Sequence, residues 1–275
     1  MSVSEGGKRS LLASLALIVA LTLVMAMPAA AITNGVPDGD THDFVGLMVA
    51  KDGDGNPLWR CSGTMLSTMV FLTAGHCTEA PAASAEIWFD ADVDAGIPGN
   101  GYPFDGPYQG TTYTHPDYDP DAFFFRDLGL VVLDAPYSPP SGRFGELPGE
   151  DSLDQYATKR GQAKVKFRAV GYGLQKSFPT AASWKTQADR VRYVTDGIKL
   201  NQINGGIVGD FSLLLSNNAH TGGTCFGDSG GPNFISGTDI VVGVTSFGLN
   251  GNCAGTGGVF RVDREWSLDF INDYL

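Results

Sequence analysis

The chain has 275 residues, 43% of them hydrophobic, with 37 Gly and 15 Pro. That is enough apolar material for a sizeable core in one large domain or two small ones, and turn-forming residues this frequent favour many short strands over long helices. The formal net charge of -12 argues against nucleic acid and anionic membranes as partners, and we read it as a means of solubility.

Residues 1–31 read as a secretory signal peptide. Lys8 and Arg9 form a positive start, Leu11 to Met27 is apolar, and Ala29-Ala30-Ala31 follows Pro28 as a small-residue cleavage site. The apolar run is short for a membrane span, so the expected product is secreted, periplasmic or extracellular, with no membrane association once the leader is cut. Export permits disulfides. The four cysteines are Cys61, Cys77, Cys225 and Cys253, which allow three pairings, and their spacing suits no structural zinc site.

The mature chain is expected to begin Ile32-Thr33-Asn34-Gly35. Strand candidates follow at Phe44–Val49, Cys61–Leu66, Met69–Ala74, Glu86–Phe89, Thr111–Thr114 and Asp127–Leu133. Asp52, Asp54 and Asn56 mimic the start of a calcium loop, but Pro57 and Gly63 stand where that loop needs glycine and glutamate, which excludes an EF-hand. Residues 134–162, rich in Pro, Gly and charge, read as the connection between two halves. The second half offers strands at Val165–Val170, Ala188–Val194, Phe211–Leu215 and Ile240–Ser246. Trp266, Leu268, Phe270 and Ile271 then stand at near-helical spacing, predicting a C-terminal helix over about 263–275.

Gly227-Asp228-Ser229-Gly230-Gly231-Pro232 places a serine between glycines. Such a backbone can expose a hydroxyl and its neighbouring N–H groups to a substrate carbonyl. The segment also fits the loose G-x-S-x-G elbow of α/β-hydrolases, which requires a histidine downstream of the serine. The four histidines are His42, His76, His115 and His220, all upstream, so that fold is excluded. The base must come from upstream, and Thr73-Ala74-Gly75-His76-Cys77 places a histidine at the end of an apolar strand. Asp117, Asp119 and Asp121 compete for the acid's role, but Asp127 alone opens a buried strand. His115 and His220 are expected to be structural or exposed, and His42 has no partner in sight.

In these segments the sequence resembles the trypsin/chymotrypsin family of serine proteases. Thr73–Cys77, Asp127–Val131 and Gly227–Pro232 stand in the family's order of histidine, aspartate and serine segments. His115-Pro116-Asp117-Tyr118, Gly171-Tyr172-Gly173, Ser246-Phe247-Gly248 and Gly257-Gly258-Val259-Phe260 resemble further family segments, so the likeness covers essentially all of residues 32–275. It implies an all-β chain of two packed six-stranded antiparallel Greek-key β-barrels with a C-terminal helix. Residues 32–145 would form the first barrel, carrying His76 and Asp127, and 146–275 the second, carrying Ser229. It implies a secreted serine endopeptidase working through an acyl-enzyme on protein or peptide substrates, without cofactor, as a monomer. The rivals are a catalytically silent binding protein on the same frame and an esterase-type acyl hydrolase.

The resemblance also assigns roles. Ser229 is the nucleophile, His76 the base, Asp127 the group that orients it, and the N–H groups of Gly227 and Ser229 the oxyanion hole. It pairs Asp228 with a new amine at Ile32, although Thr33-Asn34 departs from the usual residues there. No basic residue stands just before Ile32, so leader cleavage itself would create that amine. It joins Cys61 to Cys77 and Cys225 to Cys253. Gly223 would be the uncharged pocket floor, followed by Thr224, with Phe226, Ser246, Phe247, Gly248 and Gly258 around it. That implies preference for large apolar or aromatic residues. No metal is expected. Asp90, Asp92 and Asp94 are suited in kind to calcium, but we read them as solvated loop aspartates.

Overall fold

The computed structural model describes residues 31–122, 124–157, 163–175 and 189–275. The leader reading, apart from Ala31, lies outside the described residues. Among these, no helix is long and apolar enough to cross a membrane.

The first barrel closes from six antiparallel strands: β2 (Val45–Lys51), β3 (Pro57–Met65), β4 (Val70–Thr73), β5 (Ser84–Trp88), β6 (Tyr108–Thr114) and β7 (Gly129–Leu133). Their order around the barrel is β2-β3-β4-β7-β6-β5. The second holds β8 (Lys166–Gly171), β9 (Tyr193–Ile203), β10 (Ser212–Asn217), β11 (Pro232–Ile235), β12 (Val241–Gly248) and β13 (Gly255–Arg261). It repeats the winding as β8-β9-β10-β13-β12-β11, closed by β11 on β8. A two-residue strand, β1 (Val36–Pro37), pairs with the start of β9. Closure leaves no free sheet edge in either barrel.

Most strands are buried on both faces, against the barrel interior on one side and against neighbouring segments on the other. Phe71, Ile87, Leu130 and Val131 are buried in the first barrel, and that cluster runs on into Tyr172, Phe234 and Val241 of the second. Phe167, Ile198, Leu213, Val242 and Val259 fill the second barrel, joined by Ile32. The C-terminal helix, α2 (Glu265–Asn272), buries Ser267, Phe270 and Ile271. It crosses to the first barrel, where Phe270 packs on His115 and Tyr274 on Tyr113.

Several elements differ from the sequence reading. Of the stretch read as Ala188–Val194, Ala188 lies outside the described residues, and the strand begins at Tyr193 and continues to Ile203. Its later half alternates buried and exposed residues around Gly197, which weakens the apolar signal. Strands β11 and β13 were not anticipated. The first has four residues and begins with proline, and the second opens Gly255-Thr256-Gly257-Gly258; neither shows a clear period. His42, without a visible partner in sequence, is buried and its Nδ1 lies 2.6 Å from Asp38.

Candidate active site

His76 lies in a single turn, α1 (Gly75–Thr78), just after β4. Asp127 precedes β7, the strand hydrogen-bonded to β4, so barrel closure brings the two together. Asp127 is fully buried. Its Oδ2 lies 2.9 Å from His76 Nδ1, its Oδ1 accepts the His76 backbone N–H at 2.9 Å, and Ser246 Oγ donates to Oδ2 at 2.5 Å. With Asp127 on Nδ1, the imidazole's Nε2 is left to act as the acceptor. Burial pushes the His76 pKa down, but the charge and hydrogen bond of Asp127 outweigh it and hold it above the usual imidazole value.

Ser229 belongs to the second barrel and lines the same cleft as His76. Gly227 and Gly230 adopt φ of +92° and +75°, the left-handed region that only glycine enters freely. A Cβ on Gly227 would also press on the Gly173 backbone at 3.1 Å. Ser62 of the first barrel pins this loop: its N–H donates to Ser229 O at 2.8 Å, and its Oγ donates to Gly227 O at 2.9 Å. The N–H groups of Gly227 and Ser229 donate to no acceptor among the described residues. Ser229 Oγ makes no hydrogen bond to His76 in this state; such contacts often tighten only with substrate bound.

Asp228 points the other way, into the protein, and is wholly buried. Its carboxylate accepts the N–H groups of Gly173 and Cys225 at 2.8 and 2.9 Å. Burial raises its pKa to about 7, against the lowering effect of those bonds and of Arg60. Ile32 is buried in the second barrel. Thr33 bridges to Gly223, with Gly223 N–H donating to Thr33 O at 3.1 Å.

The cleft encloses about 420 Å³. Thr224, Cys225, Phe226, Ser246, Phe247 and Gly248 line it, as do Thr256 and Gly257, but Gly223 and Gly258 do not. The Asn217 side chain fills the space a Gly223 side chain would need, with Cγ 2.4 Å from an ideal Cβ. Its Nδ2 donates to Thr224 O and its Oδ1 accepts from Thr33 Oγ1. The Phe247 ring likewise covers Gly258, 2.4 Å from its ideal Cβ. Gly223 and Gly258, expected from sequence at the pocket, thus stand against the Asn217 and Phe247 side chains, while Thr224, Gly248, Thr256 and Gly257 line the cleft. Ser62, Asn217, Thr256 and Gly257 also meet at the candidate site without having been expected there; Ser62 stands beside Cys61 and Gly257 within a quoted segment.

Two disulfides join Cys61 to Cys77 and Cys225 to Cys253. Among the described residues, the potential metal ligands that converge are Cys61, His76 and Cys77, and both sulfurs are held in the disulfide. Asp90, Asp92 and Asp94 do not converge: Asp94 pairs with Arg190 at 2.7 Å, and Asp92 accepts the Ala95 N–H.

Two like-wound barrels, with a histidine–aspartate pair on one and a serine loop on the other, have the architecture of the chymotrypsin-like proteases. A family model described as Trypsin matches residues 37–266, and the chain belongs to that family of serine proteases. It is 27% identical over 248 residues to Serine protease 1 of Drosophila melanogaster, covering 88% of this chain and 84% of that one; Serine protease 2 of the same organism matches equally. Among solved structures, HL collagenase superposes with a TM-score of 0.67 at 18% identity, over 88% of this chain and 97% of that one. Human heparin binding protein gives 0.63 at 18% identity, over 89% and 98%.

Proposed function

We propose that the protein is a secreted serine endopeptidase that cleaves after uncharged, chiefly large apolar or aromatic residues. The observation that carries the reading is the His76–Asp127 pair beside Ser229, with two unspent N–H donors at Gly227 and Ser229. Ser229 Oγ attacks the scissile carbonyl while His76 takes its proton and later returns it to the leaving amine. Asp127 stays ionised, fixes the tautomer and stabilises the imidazolium. The Gly227 and Ser229 N–H groups receive the developing oxyanion; loss of one such donor typically costs about 2.7–4 kcal/mol of barrier. Main-chain atoms of Ser246–Gly248 pair with the substrate as an added strand.

The lining supports the specificity. Thr224, Thr256 and Gly257 bring no charge to the pocket, and Asn217 beneath them is neutral. A Lys or Arg side chain would find no counter-ion there.

Maturation belongs to the same reading. Ile32 holds φ of +46°, unfavourable for a β-branched residue, and a cut after Ala31 abolishes that torsion. The amine so released pairs with the buried Asp228 and sets the Gly227–Ser229 loop. Leader removal thus activates the enzyme directly.

A fluorophosphonate probe and a panel of peptide amides test the proposal together. The secreted protein starting at Ile32 is expected to be labelled at Ser229 and to cleave after Phe or Leu faster than after Arg, with Ser229→Ala inert in both assays. Absence of labelling would leave a silent binding protein, ester turnover alone an esterase, and faster cleavage after Arg would refute the pocket assignment.

A further inference from the structure

The wall of the cleft beside His76 carries a carboxylate that the mechanism above does not use. Glu79 immediately follows α1, its N–H bonded to Gly75 O at 2.9 Å, so its backbone is fixed to the turn that carries His76. Glu79 and Tyr118 both line the cleft with His76 and Ser229, and among the described residues no Lys or Arg lines it. The Glu79 carboxylate accepts no hydrogen bond from any described residue. The Tyr118 ring lies against the Gly75 backbone, where an added Cβ would meet it at 3.0 Å, and its hydroxyl is buried without a partner among the described residues. A half-buried carboxylate and an orphaned hydroxyl at one place make a site that lacks a donor cation.

Asp127 adds a second, fixed negative charge close by. Burial and the Asp127 charge both press the Glu79 pKa up, against the pull of His76. The same carboxylates, after burial itself, hold the Tyr118 hydroxyl in its neutral form, free to donate or accept. A mobile imidazolium on His76 compensates Glu79 only during the fraction of turnover in which His76 holds the extra proton.

The direction of catalysis says which substrate residue meets this site. The residue that donates the scissile carbonyl sits among Thr224, Thr256 and Gly257, and those before it lie along β12. The leaving residue must pass His76, which protonates its amine, and so comes against the turn that ends in Glu79. Resting on the endopeptidase reading, we propose that Glu79, aided by the Tyr118 hydroxyl, selects substrates with Lys or Arg immediately after the scissile bond. The preferred sequence is then an apolar residue followed by a basic one.

The test uses fluorogenic peptides with Phe before the cut and Lys, Ala or Glu after it, with a parallel set varying the residue before Phe. The mature enzyme is expected to turn over the Lys peptide about ten times faster, in kcat/KM, than the Ala peptide, and to disfavour Glu. Glu79→Gln should bring the Lys and Ala peptides to within about twofold of each other, and Glu79→Lys should favour the Glu peptide. Tyr118→Phe should weaken the Lys preference about two- to threefold. Raising salt should shrink the wild-type preference, as for any partly exposed charge pair. Turnover of the Ala peptide with no Lys preference, a preference unchanged in Glu79→Gln, or a basic preference confined to the residue before Phe would overturn this inference and leave the endopeptidase reading standing. No turnover of any peptide would overturn both.

Discussion

Asp228 shows how one buried group ties processing to stability. Its carboxyl is fully enclosed, hydrogen-bonded to two backbone N–H groups, and titrates at about 7 because burial disfavours its charge. The folded chain with an intact Ala31–Ile32 bond therefore keeps a proton that the unfolded chain releases near its ordinary value of about 4. Below that value both states are protonated and nothing is lost. Between about pH 4 and 7 the unfolded state binds fewer protons than the folded one, so stability falls as pH rises and levels off above 7. A shift of that size is worth about 4 kcal/mol. Urea unfolding of a chain extended by Ala29-Ala30-Ala31 is expected to show this decline. A chain starting at Ile32, its amine paired with Asp228, should hold its stability over the same range, and Asp228→Asn should flatten the decline in the extended chain. A decline that persists in Asp228→Asn would place its origin elsewhere.

The strands around the cleft explain which parts of the site were legible in sequence. His76, Asp127 and Ser229 each sit in a dense local signature, because a catalytic group fixes its immediate neighbours: a small residue before His76, a buried strand after Asp127, glycines around Ser229. Ser62 and Asn217 act instead through hydrogen bonds to loop residues, Ser62 to Gly227 and Ser229 and Asn217 to Thr33 and Thr224, and their immediate neighbours in sequence do not specify those partners. The pocket lining was harder to read for a related reason. Counting back from Ser229 located Gly223, but not the Asn217 side chain that occupies its place, nor the Phe247 ring that shields Gly258. Register makes the second point testable. Phe247 lies opposite Gly258 where β12 and β13 shift register, and a Cβ there would fall 2.4 Å from the ring. Gly258→Ala is expected to push Phe247 into the cleft, destabilise the fold by about 1–3 kcal/mol, and lower kcat/KM for Phe and Leu substrates at least tenfold. Phe247→Ala should relieve the clash, so that in a double-mutant cycle Gly258→Ala costs almost nothing in stability on that background. Additive losses would mean that the ring has room to move aside.

At the scale of the whole molecule, catalysis requires that two separately closed barrels keep one fixed relation, since His76 and Asp127 belong to one and Ser229 and Ser246 to the other. Besides the Ser62 and Ser246 bonds and the shared apolar cluster, the C-terminal helix and Arg192 hold them. The C-terminal helix leaves the second barrel and packs on the first through Phe270 and Tyr274. Arg192, entirely buried between them, donates to Val45 O at 3.0 Å and Phe89 O at 2.9 Å on the first barrel's side, and to the Tyr172 hydroxyl and Asp38 at 3.0 Å on the other. The paired barrels and the helix could be inferred from sequence through the resemblance and the apolar spacing of Phe270 and Ile271. Arg192 could not, because it stood inside a stretch read simply as a strand, and an arginine is ordinarily a surface residue. Removing it leaves the buried Asp38 with His42 but without its guanidinium and takes the donor from Phe89 O, so Arg192→Met is expected to cost about 3–5 kcal/mol of unfolding free energy. Lysine carries the charge but not the planar fork that reaches both barrels, so Arg192→Lys should recover little of that loss. The effect on catalysis should be specific. With the barrels less firmly registered, Ser229 meets His76 less often, and well below the melting temperature kcat should fall while the rise in KM stays small. The His76–Asp127 hydrogen bonds lie within one barrel, so the acid limb of the kcat/KM profile should keep its midpoint. Chemical denaturation together with pH–rate profiles checks this, and a shifted midpoint would show that Arg192 acts on the imidazole rather than on the joint between the barrels.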